Sequence, residues 1–314
     1  GNLTRSLAAD SCIRKTRGDE FDVHPTDNCA VDVVTYTLTG ATTGSATGGP
    51  DLSLAGVSFN KGITTVSWSI TDVNGKTSSV SYTVTVNDVT NPTITPASNI
   101  SQNTATGSCS KSIAVPNATF GDNCSGSSLS FTMTGATTQS ATAGQVGTKV
   151  FNKGVTTITY TATDAANNTA SASMTVTVLD NENPTVAASS NISDFTASGV
   201  CDKSVVIPNA TFGDNCASSV TLAYTMSGAT SKSSTAGQVG TYTFNKGVTT
   251  ITYTATDSAG NTASSSMTVT ITDNQNPTVS AASNVAENLV TGCTKSITIT
   301  NATYADNCTL GDRK

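Results

Sequence analysis

One stretch of this sequence occurs three times. Phe151–Asp164 reads FNKGVTTITYTATD, the same residues return at Phe244–Asp257, and a rougher version lies at Phe59–Asp72. The copies are 92 (151 − 59) and 93 (244 − 151) residues apart, and the tripeptide Asn-Pro-Thr keeps the same step at Asn91, Asn183 and Asn276. A repeat of this length is too long for a solenoid unit, which needs its neighbours to bury a face, and is about the size of one small β-sandwich. The period therefore predicts tandem domains.

The period also predicts where each domain begins and ends. We expect three whole repeats at residues 1–90, 91–182 and 183–275, followed by a partial repeat at 276–314. The partial repeat stops shortly after its second cysteine and lacks the later two-thirds of the unit. We therefore expect the chain to be a segment of a longer protein.

The pattern inside one repeat is typical of β-structure. In the second repeat, Gly154–Thr163 and Ala170–Val178 alternate threonine or serine with apolar residues, which is the period-2 signature of a half-buried strand. Several such segments, separated by turn residues and without helical periodicity, predict an all-β fold of tandem immunoglobulin-like or fibronectin-III-like sandwiches. Short linkers, each followed by a proline, predict an elongated rod. The predicted core residues are Phe59 and Trp68 in the first repeat, Phe151, Tyr160 and Met174 in the second, and Phe244 and Tyr253 in the third.

The charge content limits the partners that this chain can bind. Charged residues make up 11% of the sequence and the net charge is −6, whereas about 25% of the residues are charged in ordinary soluble domains. Nucleic acid and anionic membranes both need a basic patch, so we expect neither as a partner. No apolar run is long enough to span a membrane, and the first residues do not form a signal peptide. We expect any export signal or outer-membrane anchor to lie outside this segment.

The eight cysteines fall into four close pairs, one in each repeat. Zinc sites usually contain Cys-x-x-Cys knuckles and partner histidines, but this chain has no such knuckle and only one histidine. We therefore predict a local disulfide in each repeat, worth roughly 3 kcal/mol for a loop of about 15 residues. Such bonds favour an extracellular location. The predicted pairs are Cys12–Cys29, Cys109–Cys124, Cys201–Cys216 and Cys293–Cys308.

These markers together resemble the hyalin repeat (HYR), an immunoglobulin-like extracellular module. The second repeat shows the motifs that carry the resemblance: Gly107-Ser-Cys109, Pro116-Asn-Ala-Thr-Phe-Gly-Asp122-Asn-Cys124, Tyr160-Thr-Ala-Thr-Asp164 and Asp180-Asn-Glu-Asn-Pro184. The first repeat departs from the pattern over residues 14–25. The resemblance implies spacer modules in large surface proteins, and long runs rich in Ser, Thr and Asn are similar to the giant cell-surface adhesins of Bacteroidetes, including those of gliding motility.

Acidic residues recur in the linkers, in the Asp-Asn-Cys motifs and in a late turn of each repeat. Calcium takes six to eight oxygen ligands, and junctions between extracellular sandwiches can supply them from a linker and two loops. The linker Asp180-Asn-Glu-Asn-Pro184 is similar to the calcium linker of cadherins. Alternatively, these residues form Asx turns, and a Cys109–Cys124 bond places Asp122 at the end of the domain opposite Asp164. The calcium candidates are Asp88, Asp122, Asp164, Asp180, Glu182, Asp214, Asp257, Asp273 and Asp306.

The sequence favours a structural function over a catalytic one. The single histidine, His24, cannot serve three repeats, and no nucleophile or phosphate-binding glycine loop recurs. The leading hypothesis is a structural and adhesive segment of a long surface filament that binds a polysaccharide or a protein and contacts neighbouring repeats of its own chain. The alternatives are a glycan-binding module, which usually offers exposed aromatic residues, and a non-catalytic appendage of a secreted enzyme.

Overall fold

The protein is an all-β chain in two compact units. A computed structural model describes residues 2–6, 11–216 and 219–308. The first unit comprises residues 1–102 and 110–178, and the second comprises residues 103–109 and 179–314. All the regular elements in the described ranges are strands. The described residues contain no helix that is long and apolar enough to cross a membrane.

The first repeat, in the first unit, has one large sheet and one small one. The large sheet has the order β1-β7-β6-β3-β4, with β1 parallel to β7, and β2 pairs with β5. The bounds are β1 Leu3–Ser6, β2 Ile13–Lys15, β3 Val31–Gly40, β4 Gly44–Gly48, β5 Ser58–Asn60, β6 Gly62–Asp72 and β7 Thr77–Asn87.

The second repeat has the same five-stranded sheet and two short ribbons. The sheet has the order β13-β12-β15-β16-β9, and the ribbons are β10-β14 and β11-β8. The bounds are β8 Thr93–Thr95, β9 Ile100–Asn103, β10 Ser110–Ala114, β11 Thr119–Gly121, β12 Ser128–Gly135, β13 Gln139–Ala143, β14 Thr148–Asn152, β15 Gly154–Thr163 and β16 Thr169–Leu179.

The second unit contains the third repeat and part of a fourth. The third repeat copies the second, with the sheet β18-β25-β24-β21-β22 and the ribbons β19-β23 and β17-β20, and β26 pairs with β27 in the partial repeat. The bounds are β17 Thr185–Ala187, β18 Ile192–Phe195, β19 Asp202–Val206, β20 Thr211–Gly213, β21 Thr221–Gly228, β22 Lys232–Ala236, β23 Thr241–Asn245, β24 Gly247–Thr256, β25 Thr262–Thr272, β26 Thr278–Ser280 and β27 Thr303–Ala305. The predicted boundaries at residues 90, 182 and 275 stay a prediction.

The alternation of threonine with apolar residues decides which face of each large sheet is buried. In β15 the apolar side chains of Ile158, Tyr160 and Ala162 are fully buried. The threonines between them face outward, where Thr159 and Thr161 form hydrogen bonds of 2.9 and 3.0 Å with serines of β16. The predicted core residues are confirmed, since every one of them is at most 2% exposed: Phe59, Trp68, Phe151, Tyr160, Met174, Phe244 and Tyr253.

The corner after β12 depends on a glycine. Gly135 has a φ of 99°, and the next two N–H groups bond the Val155 carbonyl at 2.9 Å and the buried Thr156 hydroxyl at 3.1 Å. A Cβ at Gly135 would collide with the Val155 carbonyl oxygen. The same corner recurs at Gly40 and Gly228. Only glycine combines this φ with so close an approach of two backbones.

Substitution of Gly135 by alanine should separate steric collision from backbone strain. Gly144 has a similar φ of 93° but open space around its Cβ position, so Gly144→Ala should cost only the left-handed strain of about 1–2 kcal/mol. We expect Gly135→Ala to destabilise the second repeat by clearly more than Gly144→Ala, as measured by chemical denaturation. Equal losses of unfolding free energy in the two variants would show that the backbone relieves the collision at no cost.

Candidate functional site: the repeat junctions

Three acidic clusters lie where one repeat meets the next, and each contains a cysteine. We call each cluster a junction site: a linker aspartate, the Asp-Asn-Cys loop of the following repeat and the bridge that this cysteine forms. Within each cluster, one ligand atom of each residue lies within 4.8 Å of the others. The clusters found among the described residues are Asp88, Asp122 and Cys124; Asp180, Asp214 and Cys216; and Asp273, Asp306 and Cys308.

The cysteines pair between repeats, so the predicted local disulfides are wrong. The first cysteine of one repeat bonds the second cysteine of the next, with Cα–Cα distances of 4.7 to 5.0 Å and sequence separations of 107 or 112 residues. The bridges are Cys12–Cys124, Cys109–Cys216 and Cys201–Cys308. Cys29 and Cys293 remain as exposed free thiols.

The physical reason for this pairing is that the two cysteines of one repeat lie beside different linkers. In the third repeat, the turn before Cys201 is held by the following linker, where the Gly199 N–H donates to the Gln275 side chain at 3.0 Å. Cys216 instead clusters with Asp180 of the preceding linker. Between them, β19 pairs with β23 and β20 pairs with β17, so the two cysteines adjoin different ribbons. The sequence spacing of about 15 residues suggested a closed loop but contained no information on the direction of these strands.

The asparagine of each Asp-Asn-Cys loop forms a hydrogen bond to the segment that carries the partner cysteine. Its side-chain amide donates to the carbonyl of the residue that precedes the partner cysteine: Asn123 to Ser11 at 3.3 Å, Asn215 to Ser108 at 3.0 Å and Asn307 to Val200 at 2.9 Å. The aspartate of the motif holds the loop itself, because it accepts the N–H of the cysteine at 2.8 to 2.9 Å. Each residue of the motif therefore has its own part in the junction.

A lysine neutralises the linker aspartate. Lys61 lies 3.4 Å from the Asp88 carboxylate, which is buried, and Lys246 lies 3.4 Å from Asp273. Each lysine belongs to the repeated Phe-Asn-Lys-Gly motif. The asparagine before it anchors the turn, for example Asn60, whose side chain donates to the Ala41 carbonyl at 3.0 Å. The N–H of Gln275 and then the ammonium of Lys246 hold the pKa of Asp273 below its ordinary value.

In the second and third repeats, the aspartate of the turn between the last two long strands is connected to the preceding linker through an asparagine side chain. Asp164 accepts the N–H groups of Ala166 and Asn168 and the side chain of Asn168, all at 2.8 Å, and the same side chain also donates to the Asp88 carbonyl at 3.2 Å. Burial acts to raise the pKa of Asp164, but these bonds and the charge of Lys61 outweigh it and lower that pKa. The turn therefore stabilises the fold at neutral pH and loses this effect as the pH falls through the lowered pKa. Asp257 and Asn261 repeat the arrangement beside Asp180.

The expected separation of Asp122 from Asp164 is wrong as well. It rested on a Cys109–Cys124 bond, which does not form. Asp122 clusters with Asp88, and Asp88 is also the residue whose carbonyl Asn168 binds. Glu182 is not part of the cluster of Asp180 and Asp214, but its carboxylate accepts the Gly107 N–H at 2.8 and 3.1 Å, in the turn before Cys109 of the same bridge.

The donors at the first junction fit a cation only in part. The disulfide sulfur is no ligand for a hard cation, which prefers oxygen. The Asp122 Oδ1 and Asn123 Oδ1 atoms are buried and accept no hydrogen bond from the protein, and the second junction repeats this at Asp214 and Asn215. Several oxygens also serve Asx turns, as Asp88 does by accepting the Thr90 N–H at 3.2 Å. Two unpartnered oxygens and the Asp88 carboxylate, which also faces Lys61, supply part of the six to eight ligands of calcium, so water oxygens would have to complete the set.

Comparison with known proteins identifies one family. The model of the HYR domain matches residues 87–178 and 179–271, which is more than half of the chain. No curated protein matches the sequence.

Several of the solved structures that match this chain are cadherin repeats. Repeats EC22–24 of mouse cadherin-23 are 15% identical, with a TM-score of 0.33, and the match covers 87% of this chain and 96% of that chain. The EC3–6 cis-dimer structure of protocadherin gammaB7 is 14% identical, with a TM-score of 0.33 and coverage of 88% and 74%. Repeats EC1–3 of Drosophila N-cadherin are 12% identical, with a TM-score of 0.29 and coverage of 87% and 98%. These likenesses are too distant to indicate a function, and none of the three is a bacterial gliding adhesin.

Peptide mapping under non-reducing conditions checks the pairing directly. We expect peptides joined through Cys12–Cys124, Cys109–Cys216 and Cys201–Cys308, because the cysteines of these pairs lie within bonding distance. Recovery of Cys109–Cys124 or Cys201–Cys216 would contradict the junction sites. Cys29 serves as the internal control, since it should react with a thiol reagent without prior reduction.

Proposed function

Because this chain belongs to the HYR domain family, we propose that it is a structural and adhesive segment of a cell-surface protein and that its special task is to carry tension. HYR repeats with disulfides are typical of extracellular, adhesion-type proteins. Attachment to an outer membrane, participation in a filament and a role in gliding motility belong to this proposal. The sequence contains no recurring catalytic group, which is consistent with a structural role.

The observation that carries the proposal is the overlap of the disulfide loops. The loop closed by Cys12–Cys124 contains Cys109, and the loop closed by Cys109–Cys216 contains Cys201. A continuous covalent path therefore runs from Cys12 to Cys308 through three bridges and the two segments 109–124 and 201–216. We call this path the strap. The remaining parts of the repeats lie outside this covalent path. Tension applied between Cys12 and Cys308 is therefore carried by the strap and does not have to pass through the hydrophobic cores.

The strap limits how far the chain can be stretched. Without bridges, about 300 residues extend to about 1,000 Å, at 3.3–3.6 Å per residue. Along the strap, two segments of about 15 residues and three crossings of about 5 Å give a limit of about 120 Å. Local pairs within each repeat would still allow roughly 800 Å. The observed pairing therefore shortens the maximum extension about sevenfold relative to local pairs.

The surface of the repeats suits an adhesive role. With so few charges, the outer faces of the sheets carry threonine and serine hydroxyls, as along β15 and β16. Many weak polar contacts, repeated along a chain, become strong by multiplicity. We propose a surface polysaccharide or a protein as the ligand, together with neighbouring repeats of the same chain.

One observation favours the glycan-binding alternative. Phe120, Phe212 and Tyr304 are the central residues of β11, β20 and β27, and each is more than a third exposed. Exposed aromatic rings at a repeated position can stack on sugar rings. The tension-bearing function has the stronger support, because it follows from three bridges rather than from one side chain per repeat. A non-catalytic appendage of a secreted enzyme has no observation in its favour.

Single-molecule stretching between handles at the two ends tests the strap. We expect the oxidised chain to reach a limit of about 120 Å between Cys12 and Cys308, and the reduced chain to reach about 1,000 Å. The double variant Cys109→Ser with Cys216→Ser removes the central bridge, so the path then includes residues 124–201 and should reach about 270 Å. Cys29→Ser is the matched control and should leave the limit unchanged. A limit near 800 Å for the oxidised chain would reject the strap.

We also propose that calcium binds at the junctions, on the unpartnered oxygens of Asp122 and Asn123 beside Asp88. Calcium should then raise the melting temperature by mass action on the folded state. Asp122→Asn keeps an oxygen that can accept the Cys124 N–H but removes one charge, so it should abolish the rise. If neither calcium nor a chelator changes the melting temperature of the parent chain, calcium does not bind at the junctions, and lysine alone offsets the charge of these carboxylates.

A further inference from the structure

The first repeat carries a charged loop within the segment that departs from the repeat pattern. Six of the nine residues from Arg14 to Asp22 are charged, in a chain with 11% charged residues overall. The loop contains the tripeptide Arg17-Gly18-Asp19, and all three residues are exposed. We propose that this tripeptide binds a protein receptor in which a divalent cation takes the Asp19 carboxylate and an acidic side chain pairs with Arg17. The inference rests on the adhesive part of the proposed function, whose protein ligand it specifies, and not on the strap.

Buried residues on both sides of the tripeptide hold the loop in place. Before it, Thr16 is 4% exposed, its N–H donates to the Val57 carbonyl at 3.0 Å, and its hydroxyl donates to the Leu54 carbonyl. After it, Phe21 is 2% exposed and packs edge-on against Phe59, with ring centroids 5.5 Å apart. A loop that is already ordered loses less conformational entropy when it binds, which favours affinity.

A tight turn presents the tripeptide at the tip of the loop. Gly18 has a φ of 56°, a left-handed conformation that glycine adopts without strain. The Asp22 N–H closes the turn on the Asp19 carbonyl at 3.0 Å. The space around the Gly18 Cβ position is open. A receptor can therefore approach the backbone between the two charged side chains.

The Arg17 guanidinium is available to a partner. The neighbouring acid, Glu20, pairs instead with Arg14 at 3.4 Å and with Arg5 at 3.9 Å. Glu20 also accepts the backbone N–H of Arg17 at 2.9 Å, which fixes the backbone and leaves the side chain free. Among the residues that the structure describes, the Arg17 guanidinium has no hydrogen bond or ion pair.

The Asp19 carboxylate is accessible as well. In the described part of the chain its ion-pair partner is His24, at 3.7 Å, and both side chains are 77% exposed. A carboxylate is a preferred ligand of Mg²⁺ and Ca²⁺, and a guanidinium binds a carboxylate through two parallel hydrogen bonds. A cation and an anion two residues apart on a fixed turn therefore fit a receptor site that places a divalent cation beside an acidic group.

Binding to a purified integrin ectodomain tests the proposal, because integrins hold a divalent cation in their ligand site. With the full oxidised chain on a sensor surface and Mn²⁺ in the buffer, we expect binding that EDTA abolishes and that a soluble Arg-Gly-Asp peptide competes away. Asp19→Glu moves the carboxylate by one methylene and should weaken binding at least about 30-fold. Arg17→Lys keeps the charge but loses the paired hydrogen bonds, so it should weaken binding roughly 2- to 10-fold.

Asp51→Glu is the matched control, since Asp51 is an exposed aspartate elsewhere in the first repeat. It should bind as the parent chain does, and all three variants should keep the parent's melting temperature because they change exposed side chains. Unchanged binding by Asp19→Glu, or binding that persists in EDTA, would overturn the proposal, because Arg17 would then bind an acidic surface without the cation. Absence of binding by the parent chain would overturn it too. The stretching limit between Cys12 and Cys308 reports on the strap separately.

Discussion

The structure depends on one interaction, the disulfide between the first cysteine of a repeat and the second cysteine of the next. Each repeat has a thin core with few aromatic residues, so small sandwiches of this kind gain a large share of their stability from covalent links. The bridges act on long loops of 107 or 112 residues, which restrict the unfolded chain more than loops of about 15 residues would. A repeat is therefore stabilised through its neighbours as well as by its own core.

The charged groups of the chain gather around this bridge. A linker aspartate, the aspartate of the Asp-Asn-Cys loop and a lysine from the Phe-Asn-Lys-Gly turn come together at the first and third junctions. Carboxylates this close would repel each other, and the ammonium offsets that repulsion. The late turn adds an asparagine that binds the linker backbone, as Asn168 does at Asp88. Motifs that are far apart in sequence therefore recur together because they meet at one place.

The sequence predicted the features that depend on local residue pattern. It missed the features that depend on the direction in which the strands run and on the strands they pair with. Alternation in Gly154–Thr163 identified Tyr160 as a core residue, because a strand has only two faces. The same reasoning cannot say at which end of a sandwich Cys109 and Cys124 lie, since that depends on which strands β10 and β11 pair with. The position of Asp164 near the first junction was missed for the same reason. The recurrence of Asp-Asn-Cys was a usable signal, because Asn123, Asn215 and Asn307 each bind the residue before a cysteine of another repeat.

The direction of the bridge also decides how such repeats can be assembled. A bond within each repeat would use both thiols locally and leave no valence for a neighbour. A bond from the first cysteine of one repeat to the second cysteine of the next joins two different surfaces, so it is a heterologous contact, and such contacts continue without closing unless a rotation brings the ends together. The described residues follow this rule three times, at Cys12–Cys124, Cys109–Cys216 and Cys201–Cys308. Each repeat that is bonded on both sides is therefore linked covalently to two neighbours, which local pairs would not achieve.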